Sequence, residues 1–295
     1  MALTLNRDII HTTPRDAASI IMLRDGAVGL EVFLLKRHSA SEVLGGAYVF
    51  PGGKVDAADS TMPPHCLTQS PTELHTRLSE AQLEPTQALG IFVAALREAF
   101  EECGVLFADP INHPDLVQQA HALHRQGMGF AEVLARLGLK LKTDSVLPWT
   151  RWVTSTQPSM SNKRFDARFF VAQAPDLQTA QHDDYETTDS VWIQPRAALE
   201  QYWNHQITLA PPQIMSLAHL SRHPSVESVL KEARSRPPAL VHTEPFDDAQ
   251  GQRVLRYPGD PEHSQPQRVI PGPTRLHHRN QRFEPSGGFE ALFAD

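Results

Sequence analysis

Cysteine is scarce in this 295-residue chain, which contains only Cys66 and Cys103. Two cysteines are too few for a disulfide framework, and they lack the paired spacing of a zinc site. No apolar run approaches the ~20 residues of a membrane-spanning helix. The first ten residues also lack the basic and apolar segments of a signal peptide. We therefore expect a soluble cytoplasmic protein without a membrane partner.

An excess of positive charge is also missing. The chain has 34 acidic and 27 basic residues, which gives a formal net charge of -7. This balance provides no electrostatic reason to expect general binding to nucleic acid or to an anionic membrane. Hydrophobic residues make up 40% of the chain and charged residues 21%, which is ordinary for a globular protein. An anionic substrate would need local positive charge.

Apolar patterns of strand type and helix type are interleaved along residues 1–235. Residues 17–23 and 30–36 predict a hairpin with its turn at Asp25-Gly26. A helical apolar stripe covers residues 86–103, and strands alternate with helices that begin at proline farther along the chain. This mixture predicts an α/β fold.

Two segments lack these regular patterns. Residues from about 60 to 86 are rich in proline, serine, threonine and histidine, so we expect an inserted surface loop with one short helix. Nine of the 24 prolines lie in residues 237–295. We therefore expect a domain over residues 1–235 and a loop-rich, proline-rich extension over residues 236–295. The insertion could form a lid or part of a homodimer interface. The extension could pack around the core or around a partner subunit.

The stretch REAFEECGV, residues 97–105, places three carboxylates on one side of the predicted helix. At ~100° per residue, Glu98, Glu101 and Glu102 fall within an arc of roughly 100°. Like charges four positions apart destabilise a helix by roughly 0.2–0.5 kcal/mol. A divalent cation would explain the arrangement, because Mg²⁺ favours carboxylate oxygens and commonly binds substrate phosphates. A solvated acidic face is the commoner explanation of an isolated ExxEE pattern.

These residues resemble the Nudix box, whose pattern is G-x5-E-x7-R-E-U-x-E-E-x-G-U, with U apolar. Gly53 matches the first glycine, and residues 97–105 match the second half without exception. Asp59 stands in the place of the first glutamate. Between Asp59 and Arg97 lie 37 residues instead of seven, so the box contains an insertion of 30 residues.

The chain resembles the coenzyme A diphosphatase branch of the Nudix superfamily, which also has an insertion inside the box. The likeness covers roughly residues 17–217. The resemblance implies an α/β/α sandwich with a mixed sheet that cleaves a phosphoric anhydride. It also implies that Glu98, Glu101 and Glu102 bind Mg²⁺ or Mn²⁺ and that Arg97 orients one of these carboxylates. No nucleophilic serine or cysteine is needed for this chemistry.

The resemblance suggests further site residues outside the acidic helix. Glu186 stands where Nudix enzymes often offer another carboxylate, as a metal ligand or general base, although an exposed acid beside a strand is nearly as good an explanation. Gly52 and Gly53 would bring backbone amides close to metal or phosphate. Local positive charge for a polyphosphate substrate is best supplied by Lys36, Arg37, Lys163, Arg164 and Arg168, although a solvated charge at a strand end explains each of them individually.

The branch resemblance makes coenzyme A or acyl-coenzyme A the leading substrate, with 3′,5′-ADP and (acyl-)4′-phosphopantetheine as products. A pyrophosphatase for ADP-ribose, NADH or another nucleoside diphosphate derivative is the alternative within the enzyme class, because the box specifies only the anhydride. A catalytically silent, nucleotide-binding Nudix module is the alternative from another class. The histidine pairs His121/His124 and His277/His278 lack the partners of a zinc site.

Overall fold

The computed structural model describes residues 5–41, 43–111, 113, 115–183 and 186–294. Within these residues no helix is long and apolar enough to cross a membrane. The same part of the chain forms seven α-helices, which are α1 (Pro71–Leu78), α2 (Pro85–Cys103), α3 (Asp115–Arg125), α4 (Phe130–Leu137), α5 (Pro195–Trp203), α6 (Pro211–Leu220) and α7 (Val226–Ser235).

Fourteen strands lie in the described residues and form three sheets. The main sheet contains β1 (Arg15–Gly26), β2 (Gly29–Arg37), β3 (Tyr48–Val49), β4 (Gly52–Lys54), β7 (Leu147–Val153), β8 (Phe165–Gln173), β9 (Thr187–Ile193) and β10 (Ala239–His242). A small pair is formed by β5 (Ala108–Asp109) and β6 (Lys140–Leu141). The C-terminal sheet contains β11 (Glu244–Asp247), β12 (Arg253–Arg256), β13 (Arg275–Arg279) and β14 (Arg282–Glu284).

The main sheet has the strand order β10-β7-β8-β1-β2-β3, with β4 also paired to β1 and β9 also paired to β2. Strand β1 runs parallel to β8, and β10 runs parallel to β7, whereas the other pairings are antiparallel. The prediction of a mixed sheet is therefore confirmed.

The main sheet is covered on both faces, and strand β1 shows why its sequence is apolar almost throughout. Ala18, Ile20 and Met22 pack into one buried cluster with residues of α1, α2, α3 and α4. Ile21 and Leu23 point to the opposite face and pack with residues of α5, α6 and α7. Successive side chains of a strand point to opposite faces. The predicted α/β/α sandwich is confirmed.

The turn of the first hairpin lies farther along the chain than predicted. Gly26 pairs with Gly29, so the turn is formed by Ala27 and Val28 instead of Asp25-Gly26. The Asp25 carboxylate is used elsewhere, because its Oδ1 accepts the backbone N–H of Val226 at the start of α7 (2.9 Å). A tertiary contact that the local sequence does not reveal thus keeps Asp25 in the strand.

The insertion is more than the surface loop that its composition predicts. It forms α1, whose first turn is closed by a reciprocal pair of hydrogen bonds between Ser70 and Glu73. Leu74 and Leu78 of this helix are buried in the core against α2. The prediction of one short helix is confirmed. The prediction of an otherwise superficial segment is wrong, because the helix buries an apolar face too short to give a sustained pattern.

The C-terminal extension is also more ordered than its prolines predict. Strand β10 joins the edge of the main sheet, and the next four strands form their own antiparallel sheet. Leu276 and Phe283 are buried in the same cluster as α5 and α6. Tyr202 of α5 fixes this contact, because its hydroxyl accepts the N–H of Phe283 (2.8 Å) and donates to the Phe283 carbonyl (3.0 Å). The extension therefore packs on the core formed by the preceding residues.

Candidate active site

Helix α2 is the central element of the site and begins within one residue of the predicted position. Pro85 occupies the first helical position, where an N–H would have no partner within the helix. Gly104 ends the helix with φ 72°, a left-handed conformation that glycine adopts without strain. The helix packs against β1, β4 and α1. Its carboxylates are consequently held on a rigid element.

Glu98 and Glu102 lie one helical turn apart and face the glycine turn at the start of β4. The N–H of Gly52 donates to Glu102 Oε2 at 2.9 Å. A Cβ on Gly53 would lie 2.3 Å from Glu98 Oε1, so the Glu98 carboxylate would have to move away. The two glycines therefore let the backbone approach the two carboxylates closely. The structure gives Gly52 and Gly53 a place beside the acidic helix, as the sequence predicts.

The surroundings of Glu98 and Glu102 disfavour the ionised form of both carboxyl groups. Burial raises the pKa of Glu98 to about 7, and the charges of Glu101 and Glu186 add to this rise against the opposing effect of Arg97. Burial raises the pKa of Glu102 to about 8, with further contributions from Glu98 and Glu186. A cation held between these groups would relieve the repulsion and replace the proton. The donor set thus fits a hard divalent ion.

Arg97 organises the acidic face from one side. Its Nε and Nη2 donate to the two oxygens of Asp59, at 2.9 and 3.0 Å, in a bidentate pair. Its Nη1 donates to Glu98 Oε1 (2.9 Å) and to Glu101 Oε2 (2.7 Å). Its Nη2 also donates to the carbonyl of Lys54 (3.1 Å), which follows the glycine turn. One guanidinium thus joins the loop before the insertion, the glycine turn and the helix.

Glu101 shares the Nη1 group of Arg97 with Glu98 and also lies beside His124. Its Oε2 is held by Arg97, and its Oε1 lies 3.6 Å from His124 Nε2 on α3. The three glutamates therefore do not converge: among the described residues, the only three His, Cys, Asp or Glu ligand atoms within 4.8 Å of one another belong to a different cluster. The role of Glu101 as a metal ligand stays a prediction.

That other cluster consists of His219, His223 and Glu232, and the sequence reasoning missed it although the two histidines are four positions apart. Each imidazole Nε2 lies 3.0 Å from one oxygen of Glu232. Arg236 donates from Nε to Glu232 Oε1 (2.8 Å), and its guanidinium lies 4.4 Å from the Trp149 ring centroid. The arginine already supplies the positive charge that a metal ion would bring. We interpret the cluster as a brace between α6, α7 and β7.

Glu186 directly precedes β9. Its backbone carbonyl accepts the N–H of His38 (2.9 Å), which ties the segment to the end of β2. Its charge contributes to the raised pKa values of Glu98 and Glu102. The structure thus brings Glu186 into electrostatic range of both carboxylates, and its catalytic role stays a prediction.

A cavity of about 430 Å³ adjoins the glycine turn. Arg37, Gly52 and Gly53 line it together with apolar side chains from several strands. A β-bulge between Lys36 and Arg37 interrupts the pairing of β2 with β9, and a bulge redirects the side chain that follows it. Arg37 is also close enough to Glu102 to lower its pKa. Of the two predicted cations at this strand end, Arg37 is the one beside the site.

Lys36 and Arg164 do not line this cavity. The Lys36 Nζ lies over the ring of Tyr48, 6.0 Å from its centroid. Arg164 donates from Nη1 to the carbonyl of Thr12 (2.8 Å) and from Nε to the carbonyl of Thr154 (3.2 Å). It thereby fastens the N-terminal segment to the end of β7. The contact with substrate that their charge predicts stays a prediction for both residues.

Arg168 is buried among acidic side chains, and its predicted contact with substrate stays a prediction. Only 2% of the residue is exposed. Its Nε and Nη2 donate to the two oxygens of Glu80, at 3.1 and 2.7 Å, and it also pairs with Asp16 and Asp166. Glu80 belongs to the insertion and follows α1. The arginine therefore anchors the insertion to the sheet.

Comparisons with known proteins agree with this geometry. The family model of the NUDT19 Nudix domain matches residues 11–220. The acyl-coenzyme A diphosphatase NUDT19 of Xenopus laevis is 24% identical over 292 residues, covering 79% of this chain and 72% of the relative. The protein of the same name from Gallus gallus is 27% identical over 273 residues, covering 75% of this chain and 72% of the relative.

A solved structure supports the same assignment. The crystal structure of a NUDIX hydrolase from Alicyclobacillus acidocaldarius is 25% identical and superimposes with a TM-score of 0.58. The match covers 77% of this chain and 98% of that chain. The family match includes both halves of the split box and the strands that position them. The chain therefore belongs to the NUDT19 Nudix domain family of hydrolases, which act on phosphoric anhydride bonds.

Proposed function

We propose that this protein hydrolyses the diphosphate of coenzyme A or acyl-coenzyme A, releasing 3′,5′-ADP and (acyl-)4′-phosphopantetheine. The observation that carries the proposal is the pair of buried carboxylates, Glu98 and Glu102, that face a glycine turn beside a cavity. The substrate is supported by the names of the relatives from Xenopus laevis and Gallus gallus, both acyl-coenzyme A diphosphatases.

Nudix hydrolases generally use divalent metal ions, and we propose Mg²⁺ or Mn²⁺ here. Glu98 and Glu102 would hold the ion, with Glu101 available if it leaves Arg97. When bound, the ion neutralises charge on the diphosphate and favours ionisation of a water molecule. Arg97 keeps Glu98 in place for this role through its Nη1 contact of 2.9 Å.

Arg37 is proposed to contact the diphosphate. It lines the cavity, its charge acts on Glu102, and its Nε is buried without a hydrogen-bond partner among the described residues. Glu186 is proposed to accept the proton of the attacking water. One P–O bond of the anhydride then breaks as the water oxygen bonds to phosphorus, which leaves two phosphate monoesters and one proton.

A substrate panel tests this proposal. The purified protein is incubated with coenzyme A, acetyl-coenzyme A, ADP-ribose, NADH and diadenosine polyphosphate, with Mg²⁺, Mn²⁺ or EDTA. The expected result is metal-dependent release of 3′,5′-ADP from the first two compounds. Preferential turnover of ADP-ribose or NADH would support anhydride hydrolysis with a different substrate. Metal-dependent binding without turnover would identify a catalytically silent, nucleotide-binding module.

We also propose a cytoplasmic location and a homodimer. Both cysteines are free and buried, which suits a cytoplasmic protein that acts on a small molecule. A homodimer is tested by light scattering, where a mass near twice 32.8 kDa is expected. A monomer would remove the insertion from consideration as an interface.

A further inference from the structure

The cavity beside the glycine turn is completed by a part of the chain outside the matched Nudix domain. Thr243, Pro245 and Leu255 line it from the C-terminal segment, whereas the family match ends at residue 220. Strands β1 and β8 supply another wall, and the start of α6 supplies a third. The C-terminal segment therefore shapes the space next to the glycine turn.

Gln213 is a buried polar residue in this mostly apolar wall. It lies in the first turn of α6, and only 7% of it is exposed. Its amide oxygen has no hydrogen-bond partner among the described residues. A buried acceptor without a donor is destabilising. Because the terminal torsion of glutamine is soft, the amide can turn its oxygen towards a donor in the cavity.

Three of the four aromatic residues that line the cavity, Phe50, Trp152 and Phe169, do not offer the open faces that stack a nucleobase, whereas Phe165 is partly exposed. Phe50 and Phe169 are 2% and 4% exposed and meet edge to face with centroids 6.3 Å apart. Trp152 is 5% exposed, packs edge-on against Tyr257, and donates its Nε1–H to Thr150. Stacking on a base requires exposed ring faces. These walls suit an aliphatic chain better than an adenine ring.

We propose that this cavity receives the pantetheine half of the substrate. That half is an aliphatic arm with secondary amides, so its carbon atoms would contact the apolar walls and an amide N–H would donate to Gln213. Thr243 and its neighbours would limit the width of the subsite. This inference rests on the proposed function, and it assigns the C-terminal segment to substrate selection.

Product inhibition separates the two halves of the substrate. We would measure inhibition of coenzyme A hydrolysis by 4′-phosphopantetheine and by 3′,5′-ADP in the wild type, Gln213→Leu and Thr243→Phe. Gln213→Leu removes the hydrogen bond at nearly constant volume, and Thr243→Phe fills the cavity. Gln206→Leu, at an exposed position outside the cavity, is the matched control.

The expected result is inhibition by 4′-phosphopantetheine that weakens about three- to tenfold in Gln213→Leu and at least as much in Thr243→Phe. Inhibition by 3′,5′-ADP should stay unchanged. The thermal stability of Gln213→Leu should not fall, because the substitution removes an unpaired buried oxygen. This separates a ligand contact from a structural role.

Two results would overturn the inference. Weaker inhibition by 3′,5′-ADP alone would assign the nucleoside half to the cavity, and equal inhibition in all variants would exclude both halves. If the wild type cleaves no coenzyme A, the proposed function fails separately. Calorimetric binding of 4′-phosphopantetheine to the same variants then decides whether the cavity accepts the arm.

Discussion

Arg97 and Asp59 form a buried bidentate ion pair across the whole insertion. The two side chains are 10% and 3% exposed, and the paired atoms are 2.9 and 3.0 Å apart. Asp59 Oδ2 also accepts the N–H of Asp56 (2.8 Å). This pair closes the ends of the split Nudix box, so 37 intervening residues leave the geometry of the site intact. The shorter aspartate suffices because the loop approaches the helix closely.

Asp59→Ala should lower the free energy of unfolding by about 3 kcal/mol, since it leaves the buried guanidinium without its bidentate partner. Urea denaturation measures the change. Asp59→Glu keeps the carboxylate that the family pattern has at this position, and it should lose less than half as much. A loss below 1 kcal/mol in Asp59→Ala would show that Glu98 and Glu101 alone satisfy Arg97.

The metal-free protein should become less stable as the pH rises from 5 to 8. The folded-state pKa values of Glu98 and Glu102 are raised to about 7 and about 8, above the unfolded value of about 4.3. Their protonated forms therefore favour the folded state. That contribution is complete below the unfolded pKa and is lost as the pH passes through the folded pKa values.

Chemical denaturation in EDTA at pH 5, 6.5 and 8 measures this dependence, with an expected loss of several kcal/mol. Glu102→Gln should flatten the profile, and Mn²⁺ should restore stability at pH 8 by replacing the proton. Glu227→Gln, at a side chain that is 77% exposed, is the control. A metal-free protein that gains stability over this range would contradict the buried carboxylate pair.

Gly53→Ala should reduce kcat at least tenfold while the protein stays folded. The new Cβ would lie 2.3 Å from Glu98 Oε1, so the carboxylate must leave its position beside the glycine turn. Steady-state kinetics and circular dichroism measure both effects. Gly129→Ala is the control, because its Cβ would meet no atom closer than 3.7 Å. Wild-type kcat in Gly53→Ala would mean that Glu98 is not needed where the structure has it.

Arg168→Leu should act on stability and not on substrate binding. The substitution removes the cation shared by Glu80, Asp16 and Asp166 and, among the described residues, leaves Glu80 and Asp166 with Arg151 alone. We expect a loss of about 2–3 kcal/mol. The KM for coenzyme A should stay within twofold of the wild type under conditions where the variant is folded. A raised KM at unchanged stability would restore the role in substrate binding that the sequence suggested.

The sequence predicts the elements that local patterns control. Helix α2 is found within one residue, and the split box identifies the acidic helix, because both depend on spacing along one helix. The same pattern does not reveal that Glu101 turns to Arg97. A helical wheel gives the direction of each Cβ, whereas the positions of long charged side chains depend on their partners.

The C-terminal sheet was missed for a related reason. Its strands β13 and β14 read RLHHR and RFE, with one buried apolar side chain each. No strand period is visible in such short segments, and their stability comes from pairing with distant residues. The burial of Arg168 likewise depends on Glu80, 88 positions away. Non-local partners decide these features, and local composition does not contain them.

The most direct test of the central account is the initial rate of coenzyme A hydrolysis in Glu102→Gln and the wild type, with saturating Mn²⁺. The account predicts equal amounts of 3′,5′-ADP and 4′-phosphopantetheine from the wild type. It also predicts a rate lower by about 10²- to 10⁴-fold in Glu102→Gln, as expected when a group that positions charge in the transition state is lost. Hydrolysis by Glu102→Gln at the wild-type rate would contradict the assignment of this helix as the active site.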